Sequence, residues 1–395
     1  MLARMPRWVW RLAVWLICLP VGIAWIAQPI CARQAGAWYR GDAHLTAVHV
    51  NGLENWLKRD LSVADFSTGS AKFDGEWLFG TYMMAGMAMG QAAIATPEQR
   101  ERYLALMAAC IDGIRSEPVR AFDQTAWNGQ DPLDAIHVPG AGAHAAYLGY
   151  FNLVLSLHRL LDSNSEFAQL NDDITAHLVR HVRDSPYALI ETYPGETYPV
   201  DNCAVIASIV LHGRATDTDY SDLLNEWRRR LREYWIDPET GLLYQAVDGM
   251  RGHAVDDPRG SGTCLGLYFL SFADVQVSRD LFEAMKRELA DSVLRFGVVH
   301  EYPAHIAGGY GDIDSGPVVF GIGFSATGFA LAGARVHGDR ALFARLYATA
   351  HLFGAPVARG DRRQWLTGGP LGDAIMLAVL TAPQGGVYES VGDDH

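Results

Sequence analysis

The feature that most constrains the fold of this chain is a regular alternation between two kinds of helical segment. Six segments are rich in glycine, alanine and bulky apolar residues with few charges, and six amphipathic segments alternate with them. A helix that is apolar around most of its circumference is buried on most sides, whereas an amphipathic helix buries one face. We therefore predict an all-α fold, an (α/α)6 barrel of six inner and six outer helices. The predicted inner segments are 77–94, 143–161, 200–211, 262–273, 316–334 and 369–380.

The twelve predicted helices lie between about residues 42 and 382, and no linker or low-complexity tract divides them. We therefore assign residues 34–395 to one catalytic domain. All inner helices of such a barrel point the same way, so the loops that precede them meet at one mouth. Long loops on one face of a rigid scaffold are where binding groups usually lie. The long loops are 66–75, 122–142, 187–200, 245–262, 299–316 and 354–369.

Residues 1–33 differ from the rest of the chain. Three arginines precede an apolar stretch that runs from Leu12 to about Ala32. That stretch is long enough to span a bilayer, and the arginines are expected on its inner side. We predict an N-terminal transmembrane helix that anchors a periplasmic or extracellular globular domain. A cleaved signal peptide is the alternative, and it also predicts export.

Composition and motifs narrow the classes of function. The net charge is -13 and no basic run occurs, which argues against nucleic acid as a partner. No Walker loop, dinucleotide fingerprint or HExxH motif is present, so we predict no organic cofactor and no metal. Cys110, Cys203 and Cys264 lack zinc spacing and are expected to be small buried apolar residues. The predicted partners are a small-molecule or glycan substrate and the membrane, and the sequence does not indicate an oligomeric state.

Carboxylates and tyrosines are concentrated where the mouth loops enter the inner helices, a pattern that suits general acid–base chemistry. The richest loop spans residues 191–203. Carboxylates at helix starts also act as caps, and a loop glutamate is often simply solvated, so these alternatives stay open. The candidate catalytic residues are Asp74, Tyr150, Glu196, Asp201 and Asp314.

Further polar and aromatic residues lie in the mouth loops or on the inner helices. A tryptophan there could stack on a sugar or another apolar face, and a polar group on an inner helix must meet a partner or a cavity. The alternatives are a satisfied core residue, a helix cap or a structural tryptophan. The candidate substrate-binding residues are Glu76, Trp127, His144, Tyr193, Tyr198, Asn202, His305, Tyr310, Asp312, Trp365 and Asp373.

Five short motifs, taken in their order and spacing, resemble the linalool dehydratase/isomerase family. The resemblance covers about residues 74–385 and implies an (α/α)6 barrel, with dehydration and isomerisation of a terpene alcohol as the family's chemistry. The first motif is Tyr147-Leu-Gly-Tyr150-Phe-Asn152-Leu, on an inner helix. The others are Tyr198-Pro-Val-Asp-Asn-Cys-Ala-Val, Asp237-Pro-Glu-Thr-Gly241-Leu-Leu-Tyr244, residues 312–329 and Gly369-Pro-Leu-Gly-Asp373.

The resemblance also implies a changed catalytic set. The founding enzyme of the family uses an aspartate, a tyrosine, a histidine and two cysteines. In this chain Tyr150 replaces the histidine of the Tyr-x-Gly-His-x-Asn motif, and Tyr193 and Asn202 match the two cysteines. Cys203 lies one position from the second, and one residue of offset turns a helical side chain by about 100°.

Three functions fit these residues. The first is an acid–base lyase or isomerase that acts on an alcohol-bearing substrate. The second is a glycoside hydrolase acting on an envelope or extracellular glycan, which needs a similar acid and base. The third is a non-catalytic glycan-binding envelope protein. An apolar pocket with few polar groups would favour the lyase, and a carboxylate pair flanked by aromatic rings would favour the hydrolase.

Overall fold

The structure, a computed structural model, describes residues 7–306, 309, 311–313 and 315–386. These residues form helices and three small antiparallel hairpins, β1–β2, β3–β4 and β5–β6. The helices are α1 (Arg7–Cys31), α2 (Ala35–Tyr39), α3 (Ala43–Leu57), α4 (Ala71–Ala95), α5 (Arg100–Arg115), α6 (Glu117–Ala126), α7 (Pro132–Ala135), α8 (Tyr150–Leu161), α9 (Ala168–Asp184), α10 (Pro199–Thr216), α11 (Ser221–Arg230), α12 (Gly260–Leu270), α13 (Val275–Glu288), α14 (Phe324–Val336), α15 (Arg340–Gly354) and α16 (Gly369–Thr381). The strands are β1 (Ala290–Val293), β2 (Phe296–Val299), β3 (Val318–Val319), β4 (Ile322–Gly323), β5 (Pro356–Arg359) and β6 (Arg362–Trp365).

Six helices form a closed inner ring. Helix α4 packs against α8, α8 against α10, α10 against α12, α12 against α14, α14 against α16, and α16 returns to α4. Small residues allow the close approach between neighbours in this ring. A Cβ at Gly86 would lie 2.8 Å from Val154, and one at Gly90 would lie 2.6 Å from Leu157. A side chain at either glycine would therefore push α4 away from α8.

The amphipathic helices surround the ring. Helix α3 contacts α16 and α4, α5 contacts α4 and α8, α9 contacts α8 and α10, α13 contacts α12 and α14, and α15 contacts α14. Helix α11 continues into a π-helical turn at Leu231–Trp235, and both Trp227 and Trp235 are fully buried there. The mostly helical fold and the alternation of inner and outer helices agree with the sequence prediction.

The structure corrects two predicted helices. The sequence predicts helices over 277–297 and 317–336, but the end of the first forms the β1–β2 hairpin and the start of the second forms β3–β4. The turn of β1–β2 holds Leu294 and Arg295 at positive φ, a backbone conformation that no helix contains. Short apolar runs do not distinguish a strand from a buried helical turn, which explains both errors.

The two ends of the ring differ. Each inner helix begins at the end that carries the long loops, because the outer helix before it returns the chain to that end. At the opposite end, the connections from an inner helix to the following outer helix are short, as at 162–167, 217–220 and 337–339. The predicted mouth is therefore the end at which α4, α8, α10, α12, α14 and α16 begin.

The N-terminal segment is helical from Arg7, and its second half packs on α15. The sequence predicts that this segment spans a membrane. Within the residues whose side chains the structure describes, no helix has the length and apolar character needed to cross a bilayer.

The five cysteines are unpaired. Cys110, Cys203 and Cys264 are completely buried, as the sequence predicts for small apolar residues. Burial raises the pKa of the Cys110 thiol to about 12 and holds that of Cys203 well above its ordinary value. A buried thiol with a raised pKa is a poor nucleophile, so Cys203 does not replace a catalytic cysteine.

Candidate active site

We infer a cavity at the mouth end of the inner ring from the exposure of residues on the inner helices. Most positions on the inner helices are buried, but the sides that face the ring centre carry partly exposed residues at helical spacing. On α4 these positions are Glu76 and Gly80, and a Cβ at Gly80 would lie 3.4 Å from Leu371 of α16. A Cβ at Gly328 of α14 would meet no atom within 4 Å, so this position also borders open space.

The cavity has two chemically different halves. Helices α12 and α16 supply apolar residues, namely Leu265, Leu371 and Ile375, each partly exposed on the side that faces the ring centre. Helices α4, α8 and α10 supply polar side chains at their mouth ends. An apolar wall opposite a few polar groups is the usual arrangement of a small-molecule site.

Asp201 is the central group of the polar half. It lies in the first turn of α10 and accepts hydrogen bonds from the Tyr150 hydroxyl at 2.5 Å and from the Thr192 hydroxyl at 2.8 Å. Burial raises the pKa of Asp201 to about 6, although both hydroxyls oppose this shift. Its carboxyl can therefore gain or lose a proton near neutral pH.

A second carboxylate, Glu76, lies beside Tyr193. Burial and the charge of Glu76 raise the pKa of the Tyr193 phenol well above its ordinary value. Burial, Asp201 and Glu76 likewise raise the pKa of the Tyr150 phenol well above its ordinary value. Both phenols therefore stay protonated. Both carboxylates affect the pKa of each phenol, so the four groups lie close together and form one cluster.

Lys72 adds a positive charge to this cluster. Its Nζ lies 3.6 Å from the centre of the Tyr193 ring, within the range of a cation–π interaction. Lys72 is in the first turn of α4, one helical turn before Glu76. A cation at this position favours the ionised form of a nearby carboxylate.

Asn202 fixes the loop that carries Thr192 and Tyr193. Its side-chain oxygen accepts from the backbone N–H of Ile190 at 2.8 Å, and its amide donates to the carbonyls of Ile190 and Tyr198. Asn202 is buried and fully used by these contacts. These contacts give Asn202 a role in positioning the loop, and its role in substrate binding stays a prediction.

His144 and Trp127 form a separate buried group beside the site. The Nδ1 atom of His144 lies 2.5 Å from Asp123, its Nε2 atom lies 3.0 Å from Gln130, and the Trp127 ring stacks on the imidazole at 4.4 Å. Both Asp123 and His144 are completely buried. Because protein groups occupy both ring nitrogens, His144 holds the mouth loop and does not face a substrate.

Asp312 pairs with a buried arginine at the mouth end of α12. Arg259 donates to Asp312 at 2.5 Å and to the buried Glu301 at 3.3 Å, and Ser261 also donates to Glu301. The Ser315 hydroxyl accepts from the backbone N–H of Asp312. These contacts fold the loop before α14, which is a structural role for the predicted binding residue Asp312.

Asp373 and Trp365 lie on the outer side of α16. The carboxylate of Asp373 accepts from the indole N–H of Trp56 and from the backbone N–H of Trp365, both at 2.6 Å. Burial raises the pKa of Asp373 to about 6. Trp365 is buried, so it offers no face to a ligand. The structure therefore places both predicted residues away from the cavity.

Asp74, Glu196 and His305 do not join the cluster around Asp201. Asp74 lies in the first turn of α4, with Ser70 and not Asp74 as the N-cap, and it accepts from the backbone N–H of Thr68. Glu196 is exposed and accepts from the Tyr198 hydroxyl at 3.0 Å, and His305 is exposed in its loop. Tyr310 and Asp314 lie outside the described residues.

Sequence reasoning missed Thr192, Lys72 and Glu301. Thr192 and Lys72 reach the cluster only because the 190–198 loop folds back over the start of α4, and nothing in the local sequence indicates that contact. Glu301 follows a strand in a segment that the sequence assigns to a loop. Among the described residues, no three His, Cys, Asp or Glu side chains are grouped so that they could hold a metal ion.

Comparison with known proteins identifies the family. The sequence profile described as linalool dehydratase/isomerase matches residues 149–363, which is more than half of the chain. The chain therefore belongs to this family. A comparison with curated protein sequences finds no match.

Several solved structures are similar to this fold at low sequence identity. An α-mannanase of glycoside hydrolase family 76 from Bacteroides thetaiotaomicron has a TM-score of 0.48 and 9% identity, over 77% of this chain and 84% of that one. An α-1,6-mannanase from Salegentibacter sp. has a TM-score of 0.48 and 11% identity, over 78% and 88%. An unsaturated glucuronyl hydrolase from Bacillus sp. GL1 has a TM-score of 0.49 and 14% identity, over 90% and 97%. At these values the likeness does not bear on the chemistry of this chain.

Proposed function

We propose that this member of the linalool dehydratase/isomerase family is an acid–base lyase or isomerase that acts on an alcohol with a largely apolar skeleton. The observation that carries the proposal is the division of the cavity. Two carboxylates and two phenols occupy one side, and aliphatic side chains occupy the other. An apolar substrate with a single hydroxyl group fits both sides.

The Asp201–Tyr150 pair supplies the acid in this mechanism. In this proposal the Tyr150 hydroxyl meets the substrate, and Asp201 behind it can hold a proton near neutral pH because burial raises its pKa to about 6. Tyr150 donates its proton to the substrate hydroxyl and takes one from Asp201. The C–O bond then breaks and water leaves.

Glu76 is the base. Its carboxylate accepts a proton from the carbon next to the one that loses the hydroxyl, and a C=C bond forms. Tyr193 lies beside Glu76 on this side of the cluster, and Lys72 adds a positive charge over the Tyr193 ring. The proton gained by Glu76 balances the one given by Asp201, and water returns both groups to their starting states. With an allylic substrate, isomerisation follows if water instead adds to another carbon of the cation left by C–O cleavage and gives its proton, through Tyr150, back to Asp201.

The chemistry does not need the family's histidine or cysteines. Tyr150 stands at the histidine position and Tyr193 at one cysteine position, and both lie in the cluster. The second cysteine position is Asn202, which is used to hold the loop. The acid and base of this chain are therefore proposed to be carboxylates assisted by phenols.

A glycoside hydrolase is the second candidate function. One observation favours it, since two carboxylates serve the same cavity and a hydrolase needs such a pair. The apolar wall opposes it, because a sugar presents hydroxyl groups on most sides. The predicted tryptophans also lie elsewhere, since Trp365 is buried and Trp127 is stacked on His144.

We further propose that the N-terminal segment holds the chain at a membrane with the domain 34–395 outside the cytoplasm. The support is the apolar sequence from Leu12 to Ala32 and the arginines before it. Separation of membrane and soluble fractions, with protease added to intact cells, tests both statements. Recovery of the chain in the cytosol would contradict them.

Product analysis tests the proposed reaction. The purified full chain, in mild detergent, is incubated with a panel of terpene alcohols and a panel of envelope glycans, alongside Asp201→Asn and Glu76→Gln. The matched control is Asp373→Asn, because Asp373 has the same raised pKa but lies outside the cavity. We expect alkene or rearranged alcohol from the wild type and the control, and loss of product in the other two.

Other outcomes would overturn the proposal. New reducing ends that disappear in Asp201→Asn and Glu76→Gln would establish the hydrolase. Glycan binding without turnover, unchanged in both variants, would make the protein a non-catalytic binder. Equal loss of product in all three variants would show that the effect is structural.

A further inference from the structure

One edge of the mouth exposes a contiguous group of large apolar side chains, which we call the apolar rim. It consists of Phe320, Phe324, Leu352, Phe353 and Leu366. The rings of Phe324 and Phe353 are in contact at 5.3 Å, and the backbone N–H of Leu366 donates to the carbonyl of Gly354, next to Phe353. The rim therefore joins the start of α14, the end of α15 and the approach to α16.

Phe320 lies at the tip of the β3–β4 hairpin in a backbone conformation that a bulky residue rarely adopts. Its side chain is 95% exposed, and both Phe320 and Gly321 have positive φ angles. A two-residue turn with two positive φ angles favours Asn-Gly, and a bulky residue there is strained. Strain and complete exposure of an aromatic ring bring no benefit to the folded chain alone, so the ring is presented to something outside the molecule.

Exposed apolar residues are distributed unevenly over the described part of the chain. The large ones lie in three places, which are helix α1, the tip of the β1–β2 hairpin, and the connections at the mouth end. None of them lies in the described connections at the opposite end, where inner helices pass into outer helices. Single exposed apolar residues are normal on a protein surface, but a one-sided concentration marks an interaction surface.

The rim and the apolar wall of the cavity occupy the same sector. The wall residues Leu371 and Ile375 are on α16, directly after the loop that carries Leu366. Apolar side chains thus lie in this sector both outside the mouth and on the wall of the cavity. The polar cluster around Asp201 lies on the other side, on α8 and α10.

Helix α1 provides an independent indication of what covers the rim. Ala24, Gln28 and Cys31 are buried on its inner side, while Leu19, Ile23, Ile26 and Ile30 are exposed on its outer side. Traced back from Tyr39 to Gln34, the chain moves along α15 from Phe343 to Tyr347, toward the mouth end. Helix α1, which exposes these residues, ends shortly before Gln34 in the chain and continues from this part of α15.

We propose that the apolar rim rests in the interface of a lipid bilayer, so that the cavity opens toward the membrane. A second copy of this chain is a poorer fit, because a rigid partner seated on the rim would cover the mouth and block entry. A fluid bilayer covers the rim and still delivers molecules to the cavity. Aromatic rings such as those of Phe320, Phe324 and Phe353 bury a large apolar area when they enter lipid.

A substrate class follows, and this part rests on the proposed function. The substrate is an amphiphile that partitions into the bilayer and enters along the apolar wall with its hydroxyl toward Tyr150. The docking geometry itself does not depend on any reaction. Failure of the docking test therefore leaves the acid–base proposal intact, and failure of the reaction leaves the docking proposal intact.

Fluorescence from single labelled positions tests the docking. The full chain carries Cys18→Ser, so that the remaining native cysteines are buried, together with Phe320→Cys or Leu366→Cys, and an environment-sensitive dye is attached. The matched control is Asn164→Cys, which is exposed in the short connection at the opposite end. The proteins are reconstituted in phosphatidylcholine–phosphatidylglycerol vesicles, with and without lipids that carry a spin-label quencher.

We expect the dyes at positions 320 and 366 to shift to shorter wavelength in vesicles and to be quenched by the labelled lipid. The dye at 164 should show neither effect. The proposal is overturned if the dyes at 320 and 366 behave like the one at 164 while vesicles still retain the chain, since the mouth would then point away from the membrane. It is also overturned if the shift occurs without vesicles and grows with protein concentration, because a second copy would then cover the rim.

Discussion

Two buried carboxyl groups, at the starts of α10 and α16, share almost the same proton affinity and differ in what surrounds them. Burial raises the pKa of Asp201 and of Asp373 to about 6. Asp201 is held by the hydroxyls of Tyr150 and Thr192, whereas Asp373 is held by the N–H groups of Trp56 and Trp365. A raised pKa alone therefore does not identify a catalytic group.

The partners decide what each carboxyl group can do. A hydroxyl group donates to a carboxylate and can rotate to accept from a protonated carboxyl group, so Asp201 is satisfied in both states. An N–H group only donates, so a proton on Asp373 would displace one of its two partners. Asp201 can pass a proton on, and Asp373 can only hold its helix in place.

The largest expected difference between the two sites is in turnover. Asp201→Asn should lower kcat on the alcohol substrate by about 10²- to 10⁴-fold, because it removes the group that supplies the proton. Asp373→Asn should leave kcat of the folded protein at the wild-type level. Steady-state kinetics, with the folded fraction measured by circular dichroism, makes the comparison. Similar losses in both variants would remove the distinction drawn here.

The pH dependence of turnover should follow Asp201 alone. The acid is active while protonated, so kcat of the wild type should fall by about tenfold per pH unit above the folded pKa of about 6. Thr192→Val removes a hydrogen bond that favours the ionised form, so the descending limb should move to higher pH. Asp373→Asn should not move it. A limb that stays in place in Thr192→Val would show that another group supplies the proton.

The free energy of unfolding should fall more in Asp373→Asn than in Asp201→Asn, which is the reverse of the order expected for turnover. Asp373→Asn replaces one carboxylate oxygen by an NH2 group that faces one of the two N–H donors, so the free energy of unfolding should fall by about 1–3 kcal/mol. Asp201→Asn should cost less, because Tyr150 and Thr192 can reorient. For both groups the folded pKa is raised from 3.8 to about 6, so their contribution is present below pH 3.8 and is lost as the pH rises through about 6.

Urea unfolding at pH 5 and pH 7.5 measures these changes. These two carboxyl groups should make the free energy of unfolding of the wild type larger at pH 5 than at pH 7.5. Each variant lacks one of the two groups, so the difference between the two pH values should be smaller. A larger loss of stability in Asp201→Asn than in Asp373→Asn would contradict the assignment of structural and catalytic roles.

The smallest expected effect concerns Phe320, which is proposed to enter lipid and whose strained backbone conformation lowers the stability of the fold. Phe320→Asn introduces the residue that a turn with two positive φ angles favours, so the free energy of unfolding should rise by about 1 kcal/mol. Binding to vesicles should weaken at the same time. Asp217→Gly is the matched control, since Asp217 also has a positive φ and is exposed in the connection after α10, at the opposite end of the ring. It should gain stability without a change in vesicle binding.

The sequence predicts the inner ring well because the pattern of apolar residues repeats over many positions in each helix. An error at one position therefore does not change the prediction of a buried helix. It does not predict the β1–β2 and β3–β4 hairpins, whose turns depend on positive φ angles at Leu294, Arg295 and Phe320. These residue types do not indicate that conformation.

The candidate site is only partly predictable for a related reason. Asp201 and Tyr150 lie at positions where motifs and helix starts coincide, and both are in the cluster. Asp373 and Asp312 satisfy the same rules but face N–H and guanidinium partners. Those partners come from distant segments, such as Trp56, 317 residues away along the chain. Sequence patterns locate the helix starts but do not show which of them face the cavity.

The closure of the inner ring has a consequence for how the chain is made. The contact between α4 and α16 joins residues far apart in sequence, as in the hydrogen bond from Gln91 to the carbonyl of Ala378, 287 positions later. A ribosome releases α16 last, so the ring stays open during almost all of synthesis. Contacts at such separation also slow folding. The ring around the cavity therefore closes only after α16 has left the ribosome.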